Sequence, residues 1–311
     1  MKDDSYEISS WLLSGDPSIQ YMMFRFLHKK GPDDLARSQE AIGDYGFAAR
    51  LLACQNADGH WGRHYYQPKW TSTHYTLLDL KNLYVPRDTP ACRQMTKRMF
   101  AERMKEDGSI NLAKSDLPSD VCVDGMILNY TSYFHDRGDE VKKLVDFILQ
   151  QQKPDGGFTW NLKAEIGDPH TTICVLEGLR EYQRAGFANG KGALDSAIRF
   201  AELFLISSNL FMLASDKRFL KLSYPYRYHY SLFRALDYFA DVKTADDVDM
   251  QTAITWLKGK RKKDGRWTLE YKYPGSVHFD MEKVGEPSRF ITLKAIKILA
   301  SFGEGSRGIP D

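Results

Sequence analysis

The chain has 311 residues, of which 42% are hydrophobic, 27% charged and 13% aromatic, with a formal net charge of +2. That apolar share can fill a sizeable core, and the near-neutral balance excludes an electrostatic nucleic-acid binder. No apolar run reaches the ~18 residues of a membrane span. The start, Met1-Lys-Asp-Asp-Ser5, lacks the charged-then-apolar pattern of a secretion signal. Four cysteines, Cys54, Cys92, Cys122 and Cys174, are scattered without a Cys-x-x-Cys pair. They read as reduced thiols in a cytoplasmic protein.

In chain order, apolar spacings of three and four predict helices over 5–14, 18–29, 34–55, 72–83, 91–104, 120–135, 139–152, 170–184, 192–206, 227–240, 246–260 and 288–301. Alternate members carry clear start signals: Asp16-Pro17, Thr71-Ser72-Thr73, Pro118-Ser119, Asp168-Pro169 and Glu286-Pro287. A turn element recurs between them, with Asp-Gly pairs beginning at Asp58, Asp107, Asp155 and Asp264. The first two intervals are about 50 residues and the last about twice that, as in helical repeat proteins. One copy has degenerated, near Ser207-Ser-Asn-Leu-Phe211. Each copy is a helix stop: the glycine tolerates positive φ and a following aromatic packs back. The basic run Lys258–Lys263 is a solvated helix end, where cations complement the dipole. The expectation is an all-α chain, residues 1–311 in one domain, built from about six helical hairpins around a central cavity.

The elements Gln55…Gly59…Trp61 and Gln152…Gly156…Phe158 resemble the QW motif of the squalene-cyclase and protein-prenyltransferase β-subunit superfamily; the copy at Asp264-Gly-Arg-Trp267 lacks the glutamine. The resemblance implies an α/α toroid in which Trp61, Phe158 and Trp267 are structural. It also implies a cavity ringed by the inner helices, with its mouth at their N-termini. Unpaired N–H groups and the dipole there suit an anionic or electron-rich ligand.

Candidate site residues follow from that geography. Asp120 and Asp124, four apart, would share a helix face, and one could keep its proton as a general acid. The alternative makes Asp120 a helix cap and Asp124 a polar contact between helices. His170 and His229 complete the catalytic candidates. Trp70, His74, Cys122, Asp168, Tyr226, Tyr228 and Arg289 are candidates for binding substrate, the aromatic faces stabilising a carbocation at ~2 kcal/mol each when dry. Arg227 is read as an anion holder or as a structural ion pair. The sequence departs from the family in two places. It lacks the Asp-x-Asp-Asp acid motif of squalene-type cyclases, and Asp246-Asp-Val-Asp249 at an outer-helix start is a decoy. Asp124-Gly125-Met126 has methionine where prenyltransferases have a zinc-binding cysteine. A rearranged zinc site of Cys122 with His170 or His229 has no supporting spacing, so no cofactor is expected.

The resulting expectation is an isoprenoid-handling enzyme resembling terpene cyclases, working by metal-free, acid-initiated cyclisation or isomerisation on a small molecule. Two other classes stay open. One is carbohydrate cleavage by opposed carboxylates among Asp120, Asp124, Asp168 and Glu286. The other is non-catalytic binding of a small ligand or peptide. Oligomeric state is not legible.

Overall fold

The computed structural model describes residues 2–134, 138–187, 192–243 and 247–303, with backbone alone for 2–5 and 247–249. The described residues form thirteen α-helices and only isolated β-bridges. In chain order they are α1 (Lys2–Leu13), α2 (Pro17–Met22), α3 (Pro32–Asp44), α4 (Gly46–Leu52), α5 (Thr73–Asn82), α6 (Pro90–Arg103), α7 (Val121–Phe134), α8 (Gly138–Gln150), α9 (Pro169–Arg184), α10 (Ala193–Ser207), α11 (Leu232–Val242), α12 (Asp247–Gly259) and α13 (Arg289–Ser301). None is long and apolar enough to cross a membrane. Helix α7 is buried at every position, whereas α8 buries one stripe, Val141, Leu144, Val145 and Ile148. That contrast separates inner from outer helices in an α/α toroid-like arrangement. Helix α13 packs on both α11 and α2, so the last inner helix meets the first.

The recurring turn shows why the hairpins stack. Asp58, Asp107, Asp155 and Asp264 each accept the N–H two residues on through Oδ1. The glycines that follow have φ of +86°, +89°, +86° and +79°. Each turn docks on the outer helix of the next hairpin. A Cβ at Gly108 would lie 2.5 Å from Lys143 O, and one at Gly156 2.6 Å from Phe200 O. Gly265 instead meets a side chain on the first outer helix, where a Cβ would lie 2.5 Å from Ile8 Cδ1 of α1. Trp61, Phe158 and Trp267 are fully buried, and both indoles donate ten residues back, to Leu51 O and Leu257 O. Gln55 and Gln152 donate to the carbonyls of Gly59 and Gly156, and Arg261 does so for Gly265, where the sequence lacks glutamine.

A second staple recurs one helix later. The N–H groups of Trp61, Phe158 and Trp267 donate to Thr73, Thr172 and Thr292 on the inner helices. In the remaining copy, Ile110 donates to Asp124 Oδ1 at 3.1 Å. In the stretch read as a degenerate copy, Asn209, Leu210 and Phe211 all have positive φ, and the Tyr230 hydroxyl donates to Leu210 O.

Three expected boundaries move. The helix predicted over 34–55 breaks at Gly46 (φ +82°), because Asp16 caps α2 with Oδ1 and takes Phe47 N–H with Oδ2. The helix predicted from 227 begins at Leu232, after Ser231 caps it. Helix α13 is capped by Ser288, not Glu286. The side chains of Asp246-Asp-Val-Asp249 lie outside the described residues.

Candidate functional site

At the N-terminal ends of α7 and α9, the segments before α5 and α11 close over a cavity of ≈ 300 Å³. Tyr66, Lys69, Asp120, Cys122, Trp160, His170 and Tyr228 line it. A more open cleft of ≈ 410 Å³ lies beyond the shared wall of Lys69 and Tyr228, bounded by Trp70, Arg218, His229 and Tyr273. The extended stretch 224–230 supplies that wall, and the buried Arg234 fixes it. Its guanidinium donates to the carbonyls of Arg227 (2.6 Å) and His229 (3.1 Å) and pairs with both oxygens of Glu177 at 2.7 Å.

Asp120 caps α7. Its Oδ1 accepts the N–H of Cys122 at 2.9 Å and of Val123 at 3.4 Å, and Oδ2 has no partner among the described residues. Burial raises its pKa against those bonds, and the nearby Asp168 carboxylate adds to the rise. Asp168 caps α9, accepting from Thr171 N and Thr171 Oγ1 at 2.8 Å each. Lys69 Nζ sits 4.2 Å above the Tyr228 ring and 5.0 Å from that of Trp70, and burial lowers its pKa. His170 Nδ1 accepts the N–H of Tyr230 at 2.7 Å, which leaves its proton on Nε2. Burial lowers the pKa of His170, and that of His229 falls to about 3. The His229 ring is sandwiched between Tyr228 and Tyr273, with centroids 3.7 and 3.3 Å away. Both imidazoles are therefore neutral at pH 7.

Of the sequence candidates, Asp120, Cys122, His170 and Tyr228 come together around the smaller cavity, and Trp70 and His229 around its neighbour. Asp168 stands beside Asp120. Four others lie elsewhere. Asp124 is fully buried between Ile110 N and Ser119 Oγ (2.5 Å), in the slot that threonine fills in the other repeats. It does not join Asp120 at the cavity, because the Asp120 carboxylate turns back as a cap onto the N–H groups of Cys122 and Val123 while that of Asp124 is held by Ile110 and Ser119. His74 is enclosed behind the wall, against the Tyr130 hydroxyl at 3.1 Å, with its pKa lowered to about 3 by burial. Tyr226 points towards the opposite ends of the inner helices, where it donates to Asp237. Arg289 turns to α1, donating to Trp11 O and stacking over that indole. Arg227 takes the ion-pair role, with Asp79 at 2.8 Å.

Sequence reasoning missed Tyr66, Lys69, Trp160, Arg218 and Tyr273, all in the connections that precede inner helices, Lys69 and Arg218 within single 3-10 turns. The available signal was proximity: Lys69 adjoins Trp70, and Trp160 lies just before the Asp168 cap. The donor set does not fit zinc. Among the described residues no three of His, Cys, Asp and Glu converge as ligands, and His170 Nδ1 is already engaged. Of the four carboxylates from which a glycoside-cleaving pair was to be drawn, Asp124 is buried and Glu286 exposed, while Asp120 and Asp168 each cap a helix.

No family model matches the chain, and no curated protein is similar to it. Solved structures are. The apo form of type II terpene cyclase MstE from Scytonema aligns over 93% of this chain and 89% of its own, at 15% identity and a TM-score of 0.50. A variant of that enzyme in complex with geranylgeranyl dihydroxybenzoate aligns at 15% identity over 93% and 86%, with a TM-score of 0.49. A protein from Actinoplanes aligns at 16% identity over 93% and 90%, also at 0.49. The chain has a terpene-cyclase-like helical fold.

Proposed function

We propose that this chain is an isoprenoid-handling enzyme, a single domain around its mouth cavity, that starts cyclisation or isomerisation by protonating its substrate from Asp120. The observation that carries the reading is Asp120 on the cavity wall, its pKa raised by burial. The N–H groups of Cys122 and Val123 hold Oδ1 as an acceptor, so Oδ2 is the oxygen free to carry the proton. The rings of Tyr66, Trp160 and Tyr228 supply the electron-rich walls that a developing carbocation needs. Tyr228 already holds the Lys69 ammonium 4.2 Å from its ring centroid, so this wall of the cavity accommodates positive charge. The likeness to a type II terpene cyclase supports the reading through fold alone.

Non-catalytic binding of a small ligand in the same cavity is the second reading. It is favoured by Asp120 and Asp168 both serving as helix caps. One substitution separates the two. Asp120→Asn keeps the cap and removes the acidic proton. Against a panel of prenyl alcohols, diphosphates and epoxides, with products read by gas chromatography and mass spectrometry, turnover should fall at least ~100-fold. Full turnover in the variant eliminates Asp120 as the acid. Binding without turnover in both proteins selects the second reading.

A further inference from the structure

Cys122 lines the cavity and is 6% exposed, while Cys174 is fully buried one helix away. The Cys122 sulfur lies 4.0 Å from the carbonyl oxygen of His170. In an α-helix that carbonyl receives the N–H of the residue four further on, which here is Cys174. There the Cys174 thiol is the neighbouring group that acts most strongly on Cys122. Helix packing enforces that proximity. Gly125 stands three residues after Cys122 and Gly178 four after Cys174, so each pair shares a face. A Cβ at Gly125 would lie 2.7 Å from Val175 N and 2.8 Å from the carbonyl carbon of Cys174. Backbones in contact along that face set the two cysteines on the facing sides of α7 and α9, the arrangement that a disulfide between the helices requires.

We infer that Cys122 and Cys174 are a redox-active dithiol built into the cavity wall, which a low-molecular-weight disulfide entering the mouth converts to a disulfide between α7 and α9. Cys122, facing the cavity, attacks one sulfur of the small disulfide; that S–S bond breaks and one thiol leaves with a proton. Cys174 then attacks the Cys122 sulfur of the mixed disulfide and expels the second thiol. Two protein thiols lose two electrons and two protons, and one small disulfide becomes two small thiols.

The neighbouring Cys174 thiol and burial raise the Cys122 pKa and keep it protonated, so the first step is slow and the pair stays reduced until oxidant accumulates. Cys174 also contacts Tyr228 O and Arg234 Nη2, each at 3.5 Å. Oxidation therefore withdraws sulfur contacts from His170, Tyr228 and Arg234 together, reshaping the cavity whatever ligand it takes. The remaining thiols lack this setting: Cys92 is buried on α6 and Cys54 follows α4, and neither lines the cavity.

The test uses the whole reduced protein, incubated with excess oxidised glutathione, alkylated under denaturing conditions and mapped by mass spectrometry without reduction. A peptide pair joining Cys122 to Cys174 is expected, with two of the four thiols lost to alkylation. Cys174→Ser should instead stop at one glutathione adduct, on Cys122. The inference is overturned if both cysteines of the wild type alkylate as fully as Cys92, or if the wild type retains the adduct on Cys122 unresolved. The wild-type map decides even if the variant does not fold.

Discussion

At the C-terminal ends of the inner helices, Asp237 receives Lys294 at 2.6 Å and Lys297 at 2.5 Å, and Asp241 shares Lys297 at 2.8 Å. Alongside, Glu181 takes Lys81 and Arg87 at 3.3 and 3.0 Å. At the N-terminal ends, Lys69 and Asp120 face one cavity without an ion pair between them, one over an aromatic ring and the other on backbone N–H groups. Both ends bring charge out of water. Only the first compensates it within the chain, through a network whose every removal strands a buried partner. Ionisable groups left half-satisfied beside a cavity are the ones available to a ligand. The contrast separates charges that hold the fold from charges that await something else.

The largest expected effect attacks the closed end. Asp237→Ala leaves two ammoniums facing each other and should cost about 3–5 kcal/mol in urea unfolding. Burial opposes ionisation of Asp237, but Lys294 and Lys297 win and hold its pKa well below the usual carboxylate range. Its stabilisation is thus complete above the ordinary carboxylate pKa and lost only as pH falls through the depressed one. An unfolding midpoint that does not move would erase the contrast.

Next comes Asp124, whose pKa burial raises to about 8. A raised carboxyl pKa means the folded state binds the extra proton. This group's contribution is full below about pH 4 and drains away as pH climbs towards 8. Asp124→Asn keeps an acceptor for Ile110 N–H and removes that titration. Thermal melts should show the variant gaining on the wild type between pH 5 and pH 8. Parallel curves would mean that the carboxyl is not held protonated.

The smallest effect belongs to the open end. Asp120→Ala should cost about 1 kcal/mol, the worth of a helix cap, and Asp120→Asn much less. A loss approaching that of Asp237→Ala would make Asp120 part of the scaffold.

How much of this was legible beforehand follows from which interactions are local. Asp-Gly turns and capping residues act within a few positions of themselves, so Asp58, Asp155, Asp16 and Asp168 announced the hairpins. The break at Gly46 was not legible, because it answers to Asp16, far back in sequence. The mouth was half legible. Asp120, Cys122 and His170 could be found from helix starts, while Tyr66, Lys69 and Trp160 depend on loop paths set by tertiary packing. Asp124 misled because only the other repeats, with threonine in its slot, reveal that its task is architectural.

The turn at Gly265 rests on Ile8, and Arg289 reaches Trp11 across 278 positions. During synthesis, α1 can pack on α2 at once but must wait for almost the entire chain before its partners across this seam exist. Such a joint forms late and tends to open early, because closing so long a loop carries a large entropic penalty. Amide hydrogen exchange should find the seam between α1 and α13 less protected than the fully enclosed α7, which makes this seam the natural place for the helical array to breathe.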